Sequence, residues 1–263
     1  MMVQNSLYQH YRKEEYDFVD KVRDLINKVE STYTMDVTEF FNPRQVEIVK
    51  SLCHYYGVQV FASSDYYDME YAKVIIAPEY YVFDFLDFNI ALVEISYNAK
   101  FNQLTHSQIM GTLINQLGIK RTVFGDILVQ SDRAQLLVDR SMLSYFTSHI
   151  AKIGRASVTL KEIDFSKLLV PESQSQSIEI LVSSMRLDKV LAAVLKISRS
   201  QSTKLIEADK VKVNYRQSNK ISEMLQIGDK LSIRGFGRFS IVSDNGLSKN
   251  GKYKLTIDKM IHK

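Results

Sequence analysis

Residues Arg186–Ser200, RLDKVLAAVLKISRS, decide how the last third of the chain folds. Leu187, Val190, Leu191 and Val194 fall at i, i+3, i+4 and i+7, the spacing of one buried helical face. At about 100° per residue, Arg186, Lys189 and Lys196 project into one quadrant away from that face. The helix is thus apolar on one side and cationic on another. Ser198 opens a second helix through an S-x-x-Q capping box to Gln201, with Leu205 and Ile206 as its inner residues. Outward from there, Val211–Asn214 (VKVN) reads as a strand and Gly228-Asp229 as a turn. Lys230–Arg234 (KLSIR) follows as a strand in which Leu231 and Ile233 alternate with polar residues. Gly235–Arg238 (GFGR) fits either a strand bend that admits a phosphate or a plain hairpin turn. Asn245-Gly246 and Asn250-Gly251 are turn signals.

The positive charge lies in the same region. The 263 residues carry a net charge of +4, but residues 183–263 hold 17 Lys plus Arg against 7 Asp plus Glu. Residues 1–182 hold 17 against 23, and residues 1–94 alone hold 8 against 16. A basic module behind an acidic front predicts a polyanion partner for one end only. Cys53 is the one cysteine, which excludes a disulfide scaffold. With 45% apolar residues, 10 Gly and 3 Pro, extended disorder is not expected. No apolar stretch approaches the roughly 18 residues of a membrane span, and MMVQNSLYQHYRKEEYDF is too polar for a secretory signal. A cytoplasmic chain of two or three domains is expected.

Upstream, apolar residues from Tyr8 to Val29 keep helical spacing, predicting a helix over residues 6–29. Asn42-Pro43 caps a second helix that Gly57 stops, and Val58–Ala62 and Lys73–Ala77 form a hairpin. From Phe88 the order is strand (88–97), helix with a Thr105–Gln108 capping box ending at Gly118, strands 126–130 and 135–138, helix 141–150 and strand 157–163. That order is βαββαβ, the split-βαβ arrangement of ferredoxin-like and RNA-recognition domains. The aromatic RNP signature of base-stacking sheets is absent. Lys120 and Arg121 follow a helix end, where cations are favoured by the macrodipole. Ser173–Ser177 (SQSQS) reads as a linker. The expected architecture is α+β: an N-terminal helical unit with a short hairpin (1–78), a central RRM-like domain (79–177), and a C-terminal domain of two helices and a small sheet (178–263).

Arg199 sits in the first turn of its helix, where a cation opposes the macrodipole and a bound phosphate would reverse the sign. Two readings are open: an RNA phosphate contact, or an ion pair with Asp188 that holds the two helices together. His10, His54, His106, His149 and His262 show no metal-ligand spacing, and Cys53 beside His54 is better read as a helix residue than as a nucleophilic pair. Neither a G-x-x-x-x-G-K-S/T loop nor a G-x-G-x-x-G turn is present.

R-L-D-K-V-L, S-R-S, K-V-x-V-N and G-D-x-L-x-I-R, in that order over residues 186–234, resemble the S4 RNA-binding domain. Asp209 and Tyr215 depart from it, standing where glycine is common. With F-F-N-P-R-Q at 40–45, V-I-I-A-P at 74–78 and L-G-I-K-R-x-x-x-G-D-I at 117–127, the whole chain resembles the YlmH-type S4 proteins. His106, Ser107, Gln108 and Gly111 stand where that family usually has H-R-D-x-x-G. The resemblance implies a non-catalytic RNA-binding factor. It would bind structured rRNA or tRNA on the large ribosomal subunit with peptidyl-tRNA, in quality control of stalled nascent chains. No cofactor, metal or membrane is implied, and the protein would be monomeric. The S4 face offers Arg186, Lys189, Arg199, Ser200, Lys204, Lys210, Lys212 and Arg216, with Lys220, Lys230, Arg234 and Arg238 as further candidates. A cationic helix pair of this kind suits recognition by shape, with salt-sensitive affinity. Two other readings remain: an RNA-modifying enzyme of pseudouridine-synthase type, although R-L-D here belongs to the S4 helix, and a division scaffold acting through the acidic front end.

Overall fold

Val19, Val22, Ile26 and Val29 form one buried stripe on helix α1 (Tyr16–Thr32). Helical spacing predicts an earlier start, but two short 3-10 turns precede Tyr16. The reason is tertiary. The Glu15 carboxylate accepts the Arg12 N–H at 3.0 Å and pairs with Arg44 of the next helix at 2.9 Å, which ends the regular helix there. Helix α2 (Pro43–Tyr56) begins and ends as its local sequence dictates: Asn42 accepts the Gln45 N–H, Gln45 accepts the Asn42 N–H, and Gly57 closes the helix at φ +73°.

The computed structural model describes residues 8–170 and 175–260, and the chain divides into the units Met1–Pro171 and Glu172–Lys263. In the first unit, strands β1 (Asp36–Val37), β2 (Gln59–Ala62) and β3 (Val74–Ala77) form an antiparallel sheet in the order β1-β3-β2. The expected hairpin is β2–β3. Strand β1, two residues long, has no periodicity to reveal it.

The central elements are β4 (Ile90–Tyr97), α3 (His106–Gly111), β5 (Phe124–Val129), β6 (Ala134–Asp139), α4 (Leu143–His149) and β8 (Ala156–Ile163), with an added short β7 (Lys152–Ile153). The sheet order β5-β6-β4-β8-β7, antiparallel throughout, is the split-βαβ topology. After α3 the chain continues through a π-helical turn, Thr112–Gln116, before Gly118 at φ +65°. Both faces of this sheet are closed. Ala91, Val93 and Ile95 pack with Ile109 of α3 and Phe146 of α4, while Ile90, Leu92 and Leu137 pack into the core built by α1, α2 and β3.

The upstream motifs meet at this second face. A Cβ on Gly125 would lie 2.7 Å from the ring of buried Phe40, so G-D-I needs its glycine to admit F-F-N-P-R-Q. Asp126 accepts the N–H groups of Glu70 and Tyr71, and burial pushes its carboxyl up despite those bonds. Lys73, 2% exposed, donates to Asp139 of β6 at 2.7 Å and so ties β3 to the central sheet.

In the second unit, β9 (Ser175–Val182), β10 (Val211–Val213), β11 (Arg216–Gln217), β12 (Lys230–Ile233), β13 (Gly237–Leu247) and β14 (Tyr253–Met260) form one antiparallel sheet, ordered β11-β10-β12-β13-β14-β9. Helices α5 (Leu187–Leu195) and α6 (Arg199–Glu207) share its core through Leu187, Val190, Leu191 and Ile206. Two expectations are corrected here. Ser175, Gln176 and Ser177 are strand, not linker: they pair with Met260, Lys259 and Asp258, whose carboxylate accepts both serine hydroxyls. Ser173 and Gln174 lie outside the described residues. Asn245-Gly246 is no turn; it lies in a register shift within β13, where Asn245 donates to Thr256 of β14. The turn is at Asn250-Gly251, closed by the Ser248 N–H on the Lys252 carbonyl. Of the two readings of GFGR, the hairpin holds, with Gly235 in the turn and Gly237 at the start of β13, both at positive φ.

Candidate nucleic-acid interface

Ser198 caps α6 by accepting the Gln201 N–H, and this places Arg199 on the first turn beside the start of α5. Between the two helices lies Asp188, fully buried. Arg186 donates to its two oxygens at 3.0 and 3.2 Å, and Arg199 donates to Oδ2 at 2.6 Å. Ser202 adds a bond to the Asp188 carbonyl at 2.8 Å, so the helix pair is fastened through main chain as well. Burial pushes the Asp188 carboxyl up, but the hydrogen bonds and charges of Arg186 and Arg199 outweigh it and hold the group below the ordinary carboxylate value. The Arg199 side chain nonetheless stays 60% exposed and that of Arg186 32%. Of the two readings of Arg199, the ion pair is therefore present, and the guanidinium that makes it still faces solvent.

A carboxyl whose folded pKa lies below its unfolded value near 3.9 contributes stability that is present above that value and lost as pH falls through the folded one. Asp188 in the second unit and Asp139 in the first, where Lys73 and Ser141 outweigh desolvation, are both of this kind. Acid unfolding is expected below about pH 4, with Asp188→Asn blunting the acid limb for the second unit in a circular-dichroism titration. An unchanged acid limb would refute the assignment.

The structure regroups the cations predicted from helical projection. Lys196 ends α5 at φ +55° and Arg186 precedes the first turn in extended conformation, so neither continues the Lys189 face. Arg186 joins Arg199 instead, through Asp188, and Lys189 donates to Ser183 at 2.9 Å. Ser200 and Lys204 are exposed on α6, Lys210 is exposed before β10, and Lys212 projects outward between buried Val211 and Val213. Arg216 is the least available of the set. It is 22% exposed, with Glu223, itself buried, at 4.0 Å.

The remaining S4 signature is architectural. Asn214 donates to Asp229 at 2.7 Å and accepts the Lys230 N–H at 2.9 Å, so V-N and G-D staple β10 to β12. Asn214 and Tyr215 both take positive φ in the β10–β11 turn, and Asp209 does so after α6. The left-handed geometry that glycine favours is thus kept without glycine. Arg121, half-buried, lies over the Tyr71 ring at 3.7 Å and the Phe124 ring at 4.6 Å, and Cys53 is a buried helix residue, its thiol pushed up to about 12 by desolvation. Among the described residues no helix is long and apolar enough to cross a membrane.

Comparisons with known proteins agree with this arrangement. Three family models match in order: "YlmH, N-terminal" over residues 14–81, "Putative RNA-binding domain in YlmH" over 84–167 and "S4 domain" over 185–231. The chain is 32% identical over 255 residues to the "Ribosome-associated protein quality control protein P2" of Bacillus subtilis (strain 168), spanning 97% of this chain and 99% of that one. It is also similar to the structure of "Cell division protein ylmH from Streptococcus pneumoniae", with 42% identity and a TM-score of 0.56 over 62% of this chain and 99% of that one. Matched along nearly its whole length and holding an S4 module with a cation pair at its surface, the chain belongs to the YlmH family of RNA-binding proteins.

Proposed function

We propose that this protein is a non-catalytic factor that grips structured rRNA or tRNA on the large ribosomal subunit carrying peptidyl-tRNA, in quality control of stalled nascent chains. The observation that carries the reading is the Arg186–Asp188–Arg199 cluster: one buried carboxylate orients two guanidiniums that remain open to solvent. Arginine forks held in fixed orientation suit phosphate and 2′-hydroxyl contacts on folded RNA. Lys189, Ser200, Lys204, Lys210, Lys212 and Arg216 extend the same face in this reading. The name of the Bacillus relative supports the ribosomal setting. Domains at 1–78 and 79–171 within the first unit, a last domain whose start moves back from residue 178 to Glu172 because Ser175–Ser177 pair in β9, a cytoplasmic monomer and no cofactor complete the proposal.

Arg199→Ala, and separately Arg186→Ala with Lys189→Ala, are expected to weaken co-sedimentation with 50S particles about tenfold. Each lost phosphate contact should also reduce the log–log salt slope by about 0.9. Unchanged sedimentation with intact circular dichroism would sink the proposed face. The name of the pneumococcal neighbour favours a second reading, a division scaffold working through acidic residues 1–94. Salt-insensitive sedimentation, or none, would favour it.

A further inference from the structure

The central domain adopts a topology in which RNA-recognition domains stack bases on the sheet face turned away from the helices. Here that face is closed: Ile90, Leu92 and Leu137 lie in the core with α1 and α2. Gln135, 1% exposed on the same face as Leu137, donates to the Lys167 carbonyl and accepts the Leu169 N–H, so the segment after β8 also crosses it. Any contact this domain makes with RNA must be elsewhere.

One end of the sheet offers the needed groups. The register pairs Ile95 with Ala134, Tyr97 with Val158 and Ile153 with Ala156, which brings the loop after β4, the β5–β6 turn and the β7–β8 turn to a single end. Gly154 of the last turn lies against Gln108 at the start of α3. This end carries Lys100, Arg133, Lys152 and Arg155, all exposed, and Asp132 is the one carboxylate in these three loops. Asp132 lies 3.8 Å from Arg133, and no carboxylate among the described residues pairs with Lys100, Lys152 or Arg155. Phe101, 76% exposed, stands in the same loop, with the Lys100 ammonium 5.6 Å from its ring centre. At the base of that loop the Tyr97 hydroxyl is buried without a hydrogen-bond partner.

An exposed aromatic ring among unpaired cations is the arrangement by which proteins hold unpaired nucleotides. We propose that the loop end of the central sheet binds single-stranded RNA, Phe101 stacking on a base while Lys100, Lys152 and Arg155 meet its phosphates. The choice of RNA as ligand rests on the RNA-binding reading of the family; the location and the single-stranded preference do not.

The test uses the full chain and two fluorescent RNA hairpins, one blunt and one with a short single-stranded extension. The extended hairpin is expected to bind about tenfold more tightly, within the range of one base–aromatic stack. Phe101→Ala should abolish that advantage and Phe101→Tyr should keep it. The triple change Lys100→Ala, Lys152→Ala and Arg155→Ala should lower the salt slope for the extended RNA by about two, at about 0.7 per single-strand phosphate. Arg199→Ala should weaken both RNAs equally. No preference for the extension in the wild type, or a preference that survives Phe101→Ala, overturns the loop-end site. If Arg199→Ala still weakens both hairpins in that case, the S4 reading stands apart from it. Failure of the wild type to bind either hairpin overturns both.

Discussion

Asp139→Ala is expected to lower the unfolding free energy of the first unit by about 3–5 kcal/mol, the cost of stranding a buried charge. The charge is that of Lys73, 2% exposed, whose ammonium has the Asp139 carboxylate at 2.7 Å. The Phe40 ring at 5.9 Å offers it little in return. Lys73→Met, added to the same variant, should recover part of the loss, because the methionine fills the same space without a charge to solvate. The chain contains no Trp, so urea unfolding is best followed by circular dichroism together with amide exchange of β3 and β6. A loss below about 1 kcal/mol, or no recovery on adding Lys73→Met, would show that the pair does not fasten the two sheets.

Asp188→Ala is expected to have the largest effect on the second unit. Charge and geometry predict opposite results for RNA. Removing the carboxylate makes a basic module more basic, so if only net charge counted, affinity would rise. If the carboxylate's role is to aim Arg186 and Arg199, affinity for structured RNA or 50S particles should instead fall about tenfold, with a salt slope smaller by about one to two. The thermal midpoint of this unit should also drop by about 4–8 °C, the shift that 1 kcal/mol produces in a domain of 60–100 residues. Asp188→Asn, which keeps an acceptor but no charge, should fall between. Equal or stronger RNA binding by Asp188→Ala would reduce the triad to a helix clamp with no part in recognition.

Where structure is set by neighbours along the chain, it was legible. Asn42, Pro43, Gln45 and Gly57 specify both ends of α2, and Ser198 with Gln201 specifies the start of α6, since caps and boxes act over three or four residues. The inner face of α5 was equally readable, because Leu187, Val190, Leu191 and Val194 keep a helical period and all four are buried. The Arg199–Asp188 pair is one of two readings the sequence leaves open, and the contact between the first turns of α5 and α6 shows that it forms. The Arg186–Asp188 pair was not legible. Residues two apart do not face each other on a helix, and Arg186 reaches Asp188 only because it lies outside the first turn in extended backbone.

Other features depend on partners far along the chain. Ser175–Ser177 are polar because they form an exposed edge, and only the ladder to β14 and the Asp258 carboxylate make them a strand. Phe101 carries no periodic signal, and its place among the cations of the proposed site appears only once the register gathers three loops at one end of a sheet.

Local chemistry thus determined the βαββαβ order of the central domain, the caps, the S4 helix pair and the polarised charge, because each is a property of a few adjacent residues or of composition. Tertiary structure alone decided that the second face of the central sheet is closed, that Lys73 is buried against Asp139, and that two arginines share one carboxylate. Those outcomes turn on which segments meet after folding, where desolvation makes each charge require a partner and each apolar face a cover.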